Sequence, residues 1–257
     1  MVGEIITSID NPMVKEARSL KDKKFRRYYG KFLIDGEKLV YEAVCGAIEI
    51  DKIFVDATKM TDFDYILGNF DGRVVPVTEK VINSISENVT PQGIIAEVVM
   101  PVMGEFSPEK NEPFLILDRI QDPGNLGTII RTAAATGYGT IVLIDTVDAF
   151  SPKVIRSSSG GILYLDIYRM TEEEVILYCQ KNNVEMLVAD MNGVNIFNAN
   201  VQNQNYALVI GNEGRGVSDT FKELGRRISL PMKSQMESLN AAGSASVLMY
   251  VLKGDRI

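Results

Sequence analysis

Four short apolar runs in the second half of this 257-residue sequence constrain its fold more than any other feature. The runs are almost continuously apolar, which is typical of strands that are buried on both faces. Segments with helical periodicity separate them, so the sequence predicts an α/β fold with a mostly parallel sheet and helices on both sides. The predicted strands are Phe114–Asp118, Thr140–Ile144, Glu185–Asp190 and Tyr206–Ile210, and the predicted helices are Asn125–Thr136, Pro152–Ser159, Glu172–Asn182 and Ser238–Leu252.

The first hundred residues alternate in the same way and predict a smaller α/β unit. A helix is expected to begin at Asn11 and to be broken near Asp22. Residues 101–113 are polar, contain three prolines and show no period, so we place a linker there. The predicted domains are therefore 1–100 and 114–257, a division that suits the length of the chain. The further elements predicted for the first domain are strands at Phe32–Ile34, Ile50–Val55, Val74–Val77 and Gly93–Val99, and helices at Glu37–Gly46 and Glu79–Ser86.

Composition excludes several classes of protein. No apolar run is long enough to cross a bilayer, and the amino terminus lacks the layout of a secretion signal, so we expect a soluble, cytoplasmic protein. Cys45 and Cys179 are far apart, and the sequence has no histidine, so neither a disulfide framework nor a metal site is expected. Both cysteines are expected to be small buried residues.

Positive charge is concentrated near the amino terminus although the formal net charge is −7. The segment from Lys15 to Lys31 contains eight lysines and arginines and two acidic residues, so its local charge is +6. The remaining residues of the sequence therefore carry a net charge of −13. This asymmetry is typical of a phosphate-binding surface on an acidic protein, although a solvated helix face would look the same. The candidate RNA-binding residues in this segment are Lys23, Lys24, Arg26 and Arg27.

Aromatic residues follow the basic segment directly. Tyr28 and Tyr29 lie beside arginines, an arrangement that suits unpaired RNA bases. Phe32 fits better as a core residue of the next strand. The aromatic pattern therefore favours RNA as a partner without excluding a structural role.

The first of three polar motifs in the second half is Asp122-Pro-Gly-Asn125, followed by Arg131. Asn125 stands at the entrance of a predicted helix, where it could be a plain helix cap. Arg131 is about 1.7 turns further on, so the two side chains converge only if a substrate lies across the helix start. Arg131 could instead be a surface salt-bridge partner, but its neighbours are apolar, and a charge enters such surroundings at a cost.

The second and third motifs also follow predicted strands. Gly211–Gly216 contains three glycines, which allow close approach of a backbone to a ligand. Ser218 and Asp219 are expected to cap the next helix. Ile228–Pro231 is a predicted edge strand, and residues 238–240 open the final helix. No dinucleotide fingerprint or phosphate-binding Gly-x-x-x-x-Gly-Lys occurs, which argues against an NAD or ATP enzyme. Ligands of such sheets bind beyond the strand ends, where these motifs lie.

The three motifs together resemble those of the SpoU (TrmH) family of RNA ribose 2'-O-methyltransferases. The resemblance covers residues 114–252, and Asn11–Lys15, Gly30–Ile34 and Gly36–Val40 are similar to pieces of the RNA-recognition domain that many members carry. It implies a trefoil-knotted catalytic domain that binds S-adenosylmethionine, acts as a homodimer and needs no metal. Topology rules alone set the expectation against a knot, so that feature rests on the resemblance.

The resemblance also implies residue roles. This sequence departs from the family pattern at Ser234, where family members usually have glycine. By family pattern the catalytic residues are Asn125, Arg131, Glu213, Ser238 and Asn240; the cofactor contacts are Met191, Gly211, Leu230 and Leu239; and Lys153 and Arg156 contact RNA phosphate.

The chemistry requires a ribose hydroxyl to lose its proton, and the chain has no histidine to act as the base. A guanidinium stays protonated in proteins, so we do not expect Arg131 to be the base. Our hypothesis is that Arg131 holds a phosphate and stabilises the developing alkoxide. Glu213, a phosphate oxygen or water would then take the proton.

Ribosomal RNA is the expected substrate, because members with an added amino-terminal domain mostly resemble ribosomal RNA enzymes. Transfer RNA is the alternative substrate. A non-catalytic RNA-binding or ribosome-assembly protein is the alternative from another class, and the intact motif residues disfavour it. A base methyltransferase is disfavoured because the first-motif arginine belongs to ribose modifiers.

Overall fold

The computed structural model describes residues 4–46, 48–109, 112–201, 205–233 and 239–253. The chain folds into two compact units. The first unit comprises the chain up to Val102 together with Phe150–Arg156. The second comprises Met103–Ala149 and the chain from Ser157 onward. Phe150–Arg156 therefore groups with the first unit, although it lies within the predicted second domain, residues 114–257.

The first unit is a four-stranded sheet with helices. Its strands follow the order β1-β4-β2-β3, in which β4 is antiparallel to β1 and β2, and β3 is parallel to β2. The elements are α1 (Pro12–Ser19), α2 (Lys23–Tyr29), β1 (Lys31–Asp35), α3 (Glu37–Cys45), β2 (Ile50–Asp56), α4 (Asp64–Leu67), β3 (Arg73–Val77), α5 (Glu79–Ile85) and β4 (Ile94–Val99).

The predicted break near Asp22 is confirmed. Asn11 caps α1 by accepting a hydrogen bond from the amide of Met13 at 2.9 Å. Asp22 caps α2 in the same way, with its Oδ1 2.8 Å from the amide of Lys24. Gly30 ends α2 in the left-handed conformation, with φ of 63°. Two short capped helices therefore replace one continuous helix.

An ion-pair network joins α1 to the strands of this unit. Lys52 lies 2.6 Å from Asp51 and 2.8 Å from Glu97, and Lys31 lies 2.9 Å from both Glu16 and Asp51. Burial raises the pKa of Glu97, although the neighbouring ammonium groups oppose this effect. The three carboxylates are close enough together to bind a cation, but two ammonium groups already lie among them. The cluster is therefore best explained as a structural network.

The second unit contains a six-stranded sheet in which every neighbouring pair is parallel. The strand order is β10-β8-β9-β5-β6-β7. The strands are β5 (Phe114–Asp118), β6 (Thr140–Ile144), β7 (Asp166–Arg169), β8 (Glu185–Asn195), β9 (Tyr206–Gly211) and β10 (Arg226–Ser229). The helices from here to the end of the described chain are α6 (Pro123–Ala135), α7 (Pro152–Ser158), α8 (Glu172–Lys181), α9 (Asp219–Leu224) and α10 (Ala241–Lys253), and α7 crosses the boundary between the units.

The predicted strands form the middle of this sheet, and all residues of β5, β6 and β9 are buried. Strand β7 was not predicted, because it is a short edge strand that begins and ends with an exposed, charged residue. Strand β8 continues to Asn195, beyond its predicted end. The parallel arrangement brings the carboxyl ends of the strands to one edge, where the three motifs follow them. No helix of the described ranges is long and apolar enough to cross a membrane.

The two cysteines differ in environment. Cys179 is buried, as predicted, and burial raises the pKa of its thiol to about 12. Cys45 is exposed at the end of α3, so the prediction that it is buried is wrong. A helix end places its last side chains near solvent even when the helix interior packs, and one sequence position does not reveal this.

We expect a thiol reagent at about pH 8 to modify Cys45 rapidly in the folded protein and Cys179 only after denaturation, because the thiolate is the reactive form. Ellman's reagent with and without guanidinium measures this difference. Cys45→Ser should abolish the fast reaction and Cys179→Ser should preserve it. Equal rates for both thiols in the native protein would contradict the assignment.

Candidate functional site

A cleft of about 460 Å³ lies at the carboxyl edge of the second sheet. Its walls come from β8, from the loop after β9, from β10 and its following loop, and from α10. A volume of this size is typical of a small-molecule site. The residues that line it include Asp190, Met191, Gly211, Glu213, Arg215, Lys222, Leu230, Leu239 and Leu248.

The structure brings all four predicted cofactor residues to this cleft. Met191 comes from β8, Gly211 ends β9, and Leu230 and Leu239 come from the chain between β10 and α10. The predicted catalytic residue Glu213 lines the same cleft. The second and third motifs, which are distant in the sequence, therefore share one cavity, whereas no described residue of the first motif lines it.

Gly211 is required by a close backbone approach. A Cβ atom at this position would lie 2.2 Å from the amide nitrogen of Val217 and 2.3 Å from the carbonyl carbon of Gly216. The loop folds back because the amide of Asn212 donates to the carbonyl of Gly216 at 3.1 Å, and the amide of Gly216 donates back at 2.9 Å. Gly216 adopts φ of 69°, which glycine tolerates without strain. Any larger residue at 211 would push this turn away from the strand.

The end of β5 anchors both ends of that loop. The buried carboxylate of Asp118 accepts from the amide of Ser218 at 2.8 Å and from the guanidinium of Arg119 through two bonds of 2.8 Å. The side chain of Asn212 donates to the carbonyl of Arg119 at 2.9 Å. Arg119 adopts φ of 59°, an uncommon conformation for a residue other than glycine. Sequence reasoning missed this anchor, although a charged pair directly after a buried strand was a usable signal.

Ser218 precedes α9 as predicted, but its hydroxyl does not cap the helix. The hydroxyl donates instead to Glu172 at 2.6 Å. The residue therefore ties the loop to α8 as well as to β5.

Asn125, Glu213 and Asn240 form one hydrogen-bonded chain. Nδ2 of Asn240 donates to Oδ1 of Asn125 at 3.0 Å, and Nδ2 of Asn125 donates to Oε1 of Glu213 at 2.8 Å. Oδ1 of Asn240 accepts from the amide of Gly243 at 3.1 Å. The side-chain amides of Asn125 and Asn240 therefore have defined orientations. Together these hydrogen bonds hold the Glu213 carboxylate from the side of α6 and α10.

Asn125 is not the cap of α6. Asp122 occupies the cap position, and its Oδ1 accepts from the amide of Asn125 at 2.8 Å. Pro123 is the first helical residue, where its missing amide hydrogen costs nothing. The alternative interpretation of Asn125 as a plain cap is therefore wrong, and its side chain is available for Glu213.

Arg131 lies further along α6 and is exposed. Its Nη1 donates to the hydroxyl of Ser159 at 3.3 Å, and Ser159 adopts φ of 47°. Gly161 packs closely against the backbone of Arg131, since a Cβ at position 161 would lie 3.0 Å from Cα of Arg131. Arg131 forms no salt bridge within the described residues, so the interpretation as a salt-bridge partner is not supported.

The predicted RNA-binding residues divide into two groups. Lys23, Lys24, Arg27, Lys153 and Arg156 are all exposed.

Arg26 is only 3% exposed, and its Nη1 donates to the carbonyls of Leu20 and Lys21, each at 2.7 Å. These bonds close the turn between α1 and α2, which corrects the predicted RNA contact at this position.

The predicted catalytic residue Ser238 and the family departure Ser234 lie outside the described residues.

Comparisons with known proteins show which family this chain is similar to. Residues 112–250 match the model of the SpoU rRNA Methylase family, and residues 11–96 match the MRM3-like substrate binding domain. The chain is 33% identical to the 23S rRNA (guanosine(2553)-2'-O)-methyltransferase RlmP of Bacillus subtilis, over 97% of this chain and 99% of that protein.

Two solved structures are similar over almost the whole chain. The AdoMet-bound rRNA methyltransferase from Sinorhizobium meliloti has a TM-score of 0.86 and 29% identity, covering 96% of both chains. The SpoU methyltransferase AviRb from Streptomyces viridochromogenes, in complex with AdoMet, has a TM-score of 0.85 and 25% identity, covering 96% of this chain and 98% of that one.

We expect Asp118→Asn to lower the free energy of unfolding by about 2–3 kcal/mol, because an amide cannot accept all the bonds of the buried carboxylate. Denaturation followed by circular dichroism is suitable, since the chain has no tryptophan. Asp219→Asn is the matched control. Its carboxylate is 91% exposed and pairs with Lys222, so a change below about 0.5 kcal/mol is expected. Equal effects of the two variants would contradict the anchoring role.

Proposed function

The chain belongs to the SpoU rRNA methylase family, and we propose that the protein methylates a ribose 2'-hydroxyl of ribosomal RNA, with S-adenosylmethionine as the methyl donor. The protein is an S-adenosylmethionine-dependent RNA 2'-O-methyltransferase with the α/β fold of this family. The observation that carries the proposal is the convergence of the second and third motifs on one cleft, where Asn125 of the first motif holds the Glu213 carboxylate and Asn240 holds Asn125. Ribosomal RNA is favoured because RlmP of Bacillus subtilis, which the chain matches over almost its whole length, is named for it.

The cleft suits S-adenosylmethionine in size and chemistry. The cofactor carries a carboxylate, an ammonium group, a positive sulfur and a flat adenine. Asp190 and Glu213 provide negative charge in the cleft, and Arg215 and Lys222 provide positive charge. Its apolar residues suit the adenine. The residues that would hold the cofactor are Met191, Gly211, Leu230 and Leu239.

When bound, the cofactor supplies a methyl group on a positively charged sulfur. The protein must hold the ribose oxygen in line with that methyl group and remove the hydroxyl proton. We assign proton removal to Glu213, acting directly or through water. One of its oxygens accepts from Asn125, and a carboxylate retains further acceptor positions for a proton.

Arg131 has a separate role in this proposal. Its guanidinium is permanently charged, so it stabilises the developing alkoxide and holds the adjacent phosphate. The guanidinium has five hydrogen-bond donors, and Ser159 accepts from one nitrogen, so donors remain for RNA. Asn125 and Asn240 act as positioning residues for Glu213, and Ser238 completes the polar set by family pattern.

RNA recognition is assigned to the first domain, with boundaries at 1–100, a linker at 101–113 and the methyltransferase domain at 114–257. Support comes from the substrate-binding family match at residues 11–96 and from exposed cations on an acidic protein. The proposed phosphate contacts are Lys23, Lys24 and Arg27 in this domain, and Lys153 and Arg156 in the segment Phe150–Arg156, which groups with the first unit.

A knotted backbone, a homodimer and a cytoplasmic location complete the proposal. The deep knot is proposed from the family pattern, and the close backbone approach of Gly193 in β8 to Ile228 in β10 is compatible with it. Val247 and Tyr250 are exposed on α10, and a second copy of the chain would cover such apolar surface. The cytoplasm is favoured because ribosomal RNA is the proposed substrate.

We expect Gly211→Ala to weaken binding of S-adenosylmethionine at least ten-fold, because the added Cβ would displace the turn over the cleft. Isothermal titration calorimetry on the full chain measures the affinity. Gly139→Ala is the control, since a Cβ there meets no atom within 4 Å. Wild-type affinity in the Gly211 variant would show that this turn does not shape the cofactor site.

The proposed function is tested with ribosomal and transfer RNA from cells that lack the gene. The protein should transfer methyl groups from labelled S-adenosylmethionine to a ribose of ribosomal RNA and not to transfer RNA. Arg131→Lys should reduce kcat about 100-fold with unchanged cofactor affinity, because lysine keeps the charge but loses the bidentate fork.

Arg73→Lys, at the exposed start of β3, is the matched control and should retain wild-type kcat. Retention of most of the rate by Arg131→Lys would contradict the need for a fork. Methylation of transfer RNA alone would overturn the choice of substrate.

A further inference from the structure

Helix α2 reverses the usual distribution of residues between core and surface. Its one buried residue is Arg26, which is 3% exposed. Its aromatic residues face outward, with exposed fractions of 36% for Phe25, 78% for Tyr28 and 37% for Tyr29. Folding alone favours the opposite arrangement, because aromatic rings gain from burial and a guanidinium does not.

Polar contacts and caps that do not involve Tyr28 hold the helix in place. Arg26 fixes the turn before α2 through the carbonyls of Leu20 and Lys21. Asp22 caps its first turn, and Gly30 ends it. Since these contacts secure the helix, the ring of Tyr28, which is 78% exposed, is available for another purpose.

The three rings form one cluster on the surface. Phe25, Tyr28 and Tyr29 are spaced i, i+3 and i+4, so they share a helix face. The ring centroids of Tyr28 and Tyr29 are 4.9 Å apart at an interplanar angle of 87°, and those of Phe25 and Tyr29 are 6.5 Å apart at 25°. Tyr29 is thus supported from both sides, and Tyr28 is the most exposed ring of the cluster.

Cations surround this aromatic cluster. Nζ of Lys24 lies 5.7 Å from the centroid of the Phe25 ring. Lys23 and Arg27 are exposed at spacing i and i+4, an arrangement of like charges that destabilises an isolated helix. Within the described residues none of these three cations forms a salt bridge. An anionic partner would relieve their repulsion.

We propose that this surface binds an unpaired segment of the RNA substrate, with a base stacked on Tyr28 and neighbouring phosphates at Lys24 and Arg27. We call it the α2 platform and define it by Lys23, Lys24, Phe25, Arg27, Tyr28 and Tyr29. The inference rests on the proposed function, which makes RNA the substrate.

The combination of charges and rings selects this partner. An acidic peptide would satisfy the cations but would not require exposed ring faces. A duplex offers its phosphates but keeps its base faces stacked inside, whereas an unpaired strand offers both. The platform therefore suits single-stranded RNA.

The test measures RNA binding by the full chain with fluorescence anisotropy. The probes are a labelled single strand of about ten nucleotides and a hairpin duplex of similar length. Tyr28→Ala should weaken binding of the single strand about ten-fold and leave duplex binding unchanged. Tyr28→Phe keeps the ring and should bind like wild type. Tyr65→Ala removes another half-exposed tyrosine of the same unit and is the matched control.

A charge variant separates stacking from electrostatics. Arg27→Gln should weaken binding of both probes. It should also reduce the slope of log affinity against log salt concentration by the amount of about one phosphate contact, whereas Tyr28→Ala should leave that slope unchanged. Single-strand affinity of Tyr28→Ala within about two-fold of wild type would overturn the inference. Equal weakening of both probes by Tyr28→Ala would overturn it too.

The failure of this inference is distinguishable from failure of the proposed function. If the wild-type protein methylates ribosomal RNA and Tyr28→Ala binds the single strand normally, the α2 platform is wrong and the function stands. If the wild-type protein binds the single strand through Tyr28 but methylates no ribosomal RNA, the proposed function fails and the platform stands.

Discussion

The close packing of backbone segments at the carboxyl edge of the parallel sheet is the constraint on which the site depends. Gly211 allows the following turn to lie against the end of β9, and Gly193 allows β8 to lie against Ile228, whose amide nitrogen would be 2.5 Å from a Cβ at that position. The buried Asp118 then fixes the far end of the loop through the amide of Ser218. Glu213 lies between these fixed points, so its position follows from the packing of the main chain.

Buried charged side chains in this protein hold loops and join strands. Asp118 secures the loop of the cleft, Arg26 closes the turn before α2, and Glu97 joins two lysines in the first sheet. Each buried group has several hydrogen-bonding or ionic partners, as the cost of removing a charge from water requires. The proposed RNA contacts use exposed cations instead. In the run between Lys15 and Lys31, the structure thus separates the cations that build the fold from those available to a partner.

Sequence periodicity predicted most elements because their burial is regular. The central strands β5, β6 and β9 are buried along their whole length, and their continuous apolar runs predicted them within a residue. Strand β7 was missed because an edge strand has no such run. Arg26 was predicted to be exposed as an RNA contact and is buried, and Cys45 was predicted to be buried and is exposed. Residue type gives only an average tendency toward burial, and the local packing of a turn or helix end decides the individual case.

The sequence by itself determined the alternation of strands and helices, the parallel sheet and the need for glycine after β9, because local conformation and burial leave a periodic record in the chain. It also contained the motif residues that point to methyl transfer. Only the tertiary structure decided which polar side chains meet. Asn125 reaches Glu213 across 88 positions and Asn240 across 115, and contacts between residues so far apart are set by how the strands are ordered in the sheet. That order depends on the packing of the whole unit, which no local pattern records.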